Sequence, residues 1–134
     1  MNSNKDTQSS RQKPSSEPAK GEIEKELDSS DEIRITVIGR KTGHKHTTPI
    51  WFVREGDRML LLPVSGTDTN WFRNLEKNSE LTISVGKLTF VRRARPTKDK
   101  NFAKEVADKF RAKYGADQVK KYYSKFDAAV ELKI

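Results

Sequence analysis

The chain has 134 residues, a formal net charge of +8 and no cysteine. That is a one-domain length able to bury a core unaided, and the missing cysteines exclude disulfides, thiolate metal sites and a cysteine nucleophile. No apolar run approaches the ~18 residues of a membrane-spanning helix, and residues 1–20 hold no secretory-type apolar stretch, so a cytoplasmic protein is expected.

The charge is unevenly distributed. Residues 1–32 carry five Lys/Arg against eight Asp/Glu, a net of −3. The rest carries 22 against 11, a net of +11. A domain this basic favours an anionic partner: a phosphorylated or carboxylated small molecule, nucleic acid or anionic lipid.

Residues 1–32 hold only Met1, Ala19, Ile23 and Leu27 as aliphatic residues. A disordered polar tail is expected there, with at most a fraying turn of helix over Gly21–Leu27. From Ile33 the texture changes. Ile33, Ile35 and Val37 alternate with Arg34 and Thr36, as in a half-buried strand. Gly39 to Gly43 is a turn, and Thr47–Val53 reads as a second strand whose Pro49 places it at an edge or bulge. After the turn Glu55-Gly56-Asp57, Arg58–Val64 is a third, apolar strand.

Asp68 or Thr69 caps a short helix over Asn70–Lys77, with Trp71, Phe72 and Leu75 on its apolar face. Leu81–Val85 and Leu88–Arg95 form a hairpin that Pro96 stops. Thr97 is expected to cap a longer helix with the stripe Phe102, Val106, Phe110 and Tyr114, closed by Gly115. A short helix near Gln118–Lys125 and a strand over Ala128–Leu132 complete the order β-β-β-α-β-β-α-α-β. The expected fold is α+β, mainly β: an antiparallel, partly closed barrel over residues 33–134.

The segment Gly39-Arg40-Lys41-Thr42-Gly43-His44-Lys45 joins outward-facing amides, three cations and a hydroxyl. It reads as a seat for phosphate or carboxylate, or as an ordinary basic hairpin turn; its spacing is not that of a P-loop. His44 and His46 would share a strand face, but no further His or Cys completes a metal set. Ser65 to Trp71 is a polar loop entering a helix, open either to an anion or to plain capping. Arg92, Arg93 and Arg95 could face nucleic acid or solvent, and Tyr114, Tyr122 and Tyr123 could donate hydrogen bonds or simply pack.

The run Ile38-Gly39-Arg40-Lys41-Thr42-Gly43, then Thr47-Thr48-Pro49-Ile50-Trp51-Phe52-Val53, then Glu55-Gly56-Asp57, resembles the opening of the deazaflavin-dependent nitroreductase family. The later Asn70-Trp71-Phe72-Arg73-Asn74-Leu75 followed by Lys77-Asn78 resembles that family's W-Y-x-N-L-x-x-N-P helix. The loop from Ser65 to Trp71 is shorter than the family's, and Ser79 stands where its proline usually falls.

The resemblance implies a split β-barrel of the FMN-binding-like kind that binds coenzyme F420 and passes a hydride to a small conjugated or quinone-like acceptor. It implies that Arg40, Lys41 and Lys45, in the turn with Thr42 and Gly43, face the cofactor's phosphate and glutamyl tail. Thr48, Pro49, Ile50, Val64, Ser65 and Gly66 would line its ring, Asn70 and Trp71 would close the pocket, and Tyr114 would act as proton donor. FMN in the same fold, an F420 carrier and a basic nucleic-acid-binding module are the rival readings. No metal is expected, and the oligomeric state is left open.

Overall fold

The computed structural model describes residues 17–134. The first element, helix α1 (Lys20–Asp28), corrects the expected tail: it buries Ile23 and Leu27 completely. Two aliphatic residues one turn apart suffice because they join an existing core. Arg54 holds the helix by forking onto both oxygens of Asp28 at 2.8 Å. The portion of the expected tail over residues 1–16 lies outside the described residues.

Eight strands follow among the described residues, two more than expected. They are β1 (Ile33–Ile38), β2 (Lys45–Ile50), β3 (Val53–Glu55), β4 (Arg58–Leu61), β5 (Glu80–Val85), β6 (Leu88–Arg93), β7 (Arg95–Thr97) and β8 (Ala129–Lys133). Helix α2 (Asn70–Lys77) precedes β5; α3 (Lys100–Tyr114) and α4 (Ala116–Tyr122) precede β8. Two four-stranded sheets result, in the orders β2-β1-β5-β6 and β3-β4-β8-β7, with every pair antiparallel. The fold is the split β-barrel, FMN-binding-like.

The extra strands arise where one continuous stretch changes sheet. The expected strand Thr47–Val53 breaks at Trp51 and Phe52, because the chain leaves the first sheet there and enters the second. Phe52 thereby loses its ladder partners, and the end of α3 replaces them. Its amide donates to the Tyr114 hydroxyl at 3.1 Å, and its carbonyl accepts from Tyr114 Oη at 2.7 Å and Lys113 Nζ at 2.9 Å. Backbone groups cut off from a ladder need such substitutes.

Leu88–Arg95 likewise breaks at Ala94, whose amide donates to the Ser79 carbonyl at 2.8 Å. Pro96 does not stop the chain's pairing. It sits inside β7, an edge strand where the missing amide costs no ladder bond. Pro49 sits on the other sheet's edge strand β2, as expected. Asp99, not Thr97, caps α3, accepting from the Asn101 and Phe102 amides at 2.9 and 3.2 Å.

The second sheet is covered on both faces, which explains the apolar run in β4. Met59 and Leu61 face the barrel interior with Ile35, Phe72 and Ile83. Leu60 and Leu62 face outward under Val106, Phe110 and Tyr123.

Candidate functional site

The turn between β1 and β2 is stapled at both ends. The Gly39 amide donates to the His44 carbonyl at 2.7 Å, and the Gly43 amide to the Gly39 carbonyl at 2.9 Å. Gly43 takes φ +79°, in the left-handed region glycine fills without strain. Gly39 is closely packed: a Cβ there would lie 2.7 Å from Nε2 of the exposed His46 ring and 3.1 Å from the His44 carbonyl.

Helix α2 lies against this turn. Asn74, buried, accepts the Arg40 amide at 3.0 Å and the Arg40 guanidinium at 2.8 Å through one oxygen. Asn70 adds its carbonyl at 3.4 Å. Arg40 is therefore held in one orientation.

Between the turn and α2 opens a cleft of about 660 Å³, within the range of roughly 300–1,000 Å³ usual for small-molecule sites. Arg40, Lys41, Thr42 and Thr48 supply cations and hydroxyls; Val37 and Trp71 supply apolar wall. His44, His46, Thr69 and Asn70 complete its rim. No carboxylate lines it among the described residues. Such a donor set suits an anion carried on a flat apolar body.

Six expected site residues thus converge: Arg40, Lys41, Thr42, Thr48, Asn70 and Trp71. The others stand outside the cleft wall. Gly43 shapes the turn, and Lys45 lies exposed at the start of β2. Pro49 is exposed on β2, while Ile50 packs onto the barrel core. Val64, Ser65 and Gly66 belong to a bracing loop. The Ser65 amide donates to Thr69 Oγ1 at 2.8 Å, and the Val64 carbonyl accepts from the Ser124 amide at 2.8 Å.

The same loop is clamped from the C-terminal segment. Asp127 accepts from the Thr67 amide at 2.9 Å and the Thr67 hydroxyl at 3.0 Å. Burial would raise its pKa, but these bonds and Lys125 outweigh that and hold the carboxyl below its ordinary value.

Tyr114 is placed differently from expectation. Its ring stacks on Trp51 at 4.3 Å and its hydroxyl is committed to the backbone of Phe52 and Asp31. Burial pushes it up to about 12, despite its bond to Phe52. It lines none of the main cleft.

Val37 and Asn74 are cleft residues that sequence reasoning missed, while Gly39 and Thr69 fell within the two segments it singled out. Asn70 and Asn74, spaced i and i+4 beside the Trp71–Leu75 face, carried the available signal. Among the described residues, no three His, Cys, Asp or Glu side chains gather as a metal site, and no helix is long and apolar enough to cross a membrane.

A split barrel with a cationic cleft at its β1–β2 turn defines the structural class. Residues 23–134 match the family described as "Uncharacterized protein conserved in bacteria (DUF2255)", and the chain belongs to that family. It is also 32% identical over 67 residues to an F420H(2)-dependent quinone reductase of Mycobacterium tuberculosis, covering 48% of this chain and 45% of that one. The chain thus spans about half the length of the curated relatives it matches.

Two solved structures share its fold at 17% identity. One is an F420-H2 dependent reductase, FDR-A, with a TM-score of 0.58, covering 77% of this chain and 94% of that one. The other is HutZ, the heme storage protein from Vibrio cholerae, with a TM-score of 0.62, covering 84% and 87%. The resemblance to the deazaflavin-dependent nitroreductase family is borne out by the quinone reductase match, and the two structures show the shared fold.

Proposed function

We propose that this protein is an F420-dependent oxidoreductase that reduces a small conjugated or quinone-like acceptor. One observation carries the reading: the cleft presents an immobilised Arg40, with Lys41 next to it, beside an apolar wall and with no carboxylate lining it. The quinone reductase relative supports the choice of deazaflavin.

When bound, reduced deazaflavin supplies a hydride. The chain's own residues bind and orient. Arg40, fixed by Asn74, and Lys41 hold the phosphate end. Thr42 and Thr48 offer hydroxyls to polar groups of the ligand, and Val37 and Trp71 shield its ring from water. Gly39, without a side chain, leaves its stretch of the cleft wall as bare backbone.

The test is a fluorescence titration of F420 with the protein, with FMN in parallel. Saturable quenching by F420 and its loss in an Arg40→Ala, Lys41→Ala double variant that still folds are expected. FMN binding alone would keep the fold and change the cofactor. Silence with both would overturn the reading.

A further inference from the structure

Arg40 belongs to two clefts. The second, of about 570 Å³, is lined by Arg40, Thr67, Arg73, Glu76, Lys77 and Lys98. Four of these six are cations and one is a carboxylate. We propose that this second cleft is an anion-binding site, built for a phosphate or a pair of carboxylates and joined to the main cleft through Arg40. The proposal rests on the residues of the cleft and not on the cofactor assigned to its neighbour.

Arg40 is set before any ligand arrives, by its buried partner Asn74, and Arg73 is directed by a backbone carbonyl together with an exposed carboxylate. Arg73 donates from Nε to the Thr67 carbonyl at 3.0 Å and from Nη2 to Asp68 at 2.8 Å. Ordering Arg40 in advance lowers the entropic cost of binding, and a planar guanidinium fork matches phosphate and carboxylate oxygens. Lys77 adds an exposed ammonium beside them.

The acidic groups nearby are themselves divided. Asp68 shares its charge between Arg73 and Lys125, the latter at 3.1 Å. Glu76 pairs with Lys98 at 3.2 Å, in a contact whose lysine side chain is 61% exposed. Such a pair is worth little in water, so an incoming anion displaces Glu76 from Lys98 at small cost. The wall thus contains its own weak competitor, which gives the site a distinctive test.

Inorganic pyrophosphate is the probe, titrated calorimetrically into the full chain at fixed ionic strength. Saturable one-to-one binding is expected. Arg73→Ala with Lys77→Ala should weaken it about tenfold or more, the effect of losing two charged donors. Glu76→Gln should tighten it about two- to fivefold by removing the competitor. Lys87→Ala, outside both clefts, should leave it unchanged. Lys98→Ala carries the same expectation of weakening should the double variant fail to fold.

No saturation, unchanged affinity in the double variant, or equal loss in Lys87→Ala would overturn the proposal. Competition by F420 would assign the site to the far end of one elongated ligand. Independent binding would assign it to a separate anion; either result keeps the site.

Discussion

A single oxygen of Asn74 accepts both the backbone amide and the guanidinium of Arg40, at 3.0 and 2.8 Å. The buried face of α2 thereby sets the direction of the cation shared by the two clefts. Asn74 lines the main cleft only at its buried floor and acts chiefly through Arg40.

Asn74→Ala orphans a backbone donor and frees the guanidinium. It should cost about 1–3 kcal/mol of stability and weaken F420 binding, read by urea unfolding and by fluorescence titration. Asn74→Asp retains the accepting oxygen and should preserve most of both. Equal losses in the two variants would show that the shape of α2, and not this bond, orients Arg40.

Gly66 adopts φ +54°, and a Cβ there would lie 2.0 Å from Asp127 Oδ1. Gly43 has a similar φ, +79°, with nothing within 4 Å of a Cβ. Gly43→Ala should therefore cost only about 1–2 kcal/mol for the left-handed backbone. Gly66→Ala should cost clearly more and disturb Thr69 in the cleft. Parallel urea titrations compare them, and equal losses would mean that Asp127 yields freely.

Ile23 and Leu27 test whether α1 belongs to the domain. Both are fully buried in the barrel core. Ile23→Ala or Leu27→Ala should cost about 2–5 kcal/mol, as for other truncations in a filled core. A negligible change in unfolding midpoint would mean that the helix docks without contributing.

Tyr114 ties Phe52 to α3, and its ionisation is pushed up to about 12 by burial. Its folded pKa exceeds its unfolded value of ~10. Its contribution is therefore complete below about pH 10 and is lost as pH rises through about 12. Tyr123 is shifted in the same direction by burial, so Tyr114→Phe should reduce this alkaline loss without abolishing it. At neutral pH the variant should be less stable by about 1–2 kcal/mol, because the Phe52 amide loses its acceptor. Turnover per bound cofactor should persist, because the hydroxyl lies outside the main cleft. Stability from about pH 8 to 12 and a steady-state assay check the two parts.

Several elements were legible because their signals are local. Alternation marked β1 and β5, paired glycines marked the Gly39–Gly43 turn, and apolar spacing marked α2 and α3, each readable within a few residues. The cationic turn and the Asn70-Trp71 helix start could be singled out for the same reason. What escaped were decisions made by distant partners. Whether Thr47–Val53 is one strand or two depends on Tyr114 and Lys113, more than 60 residues away, replacing the ladder bonds of Phe52. Whether Ile23 and Leu27 order a polar segment depends on a core that the rest of the chain must first build.

Periodicity, turn residues and charge are properties of short stretches, so a basic α+β domain with a cationic turn between its first two strands is readable from the residues alone. The hold of Asn74 on Arg40 between two clefts, the Asp127 brace on the loop behind Thr69 and the pinning of Phe52 by Tyr114 emerge with the folded barrel. Each of these is a hydrogen bond between groups far apart in the chain, and such bonds exist only once the barrel has closed.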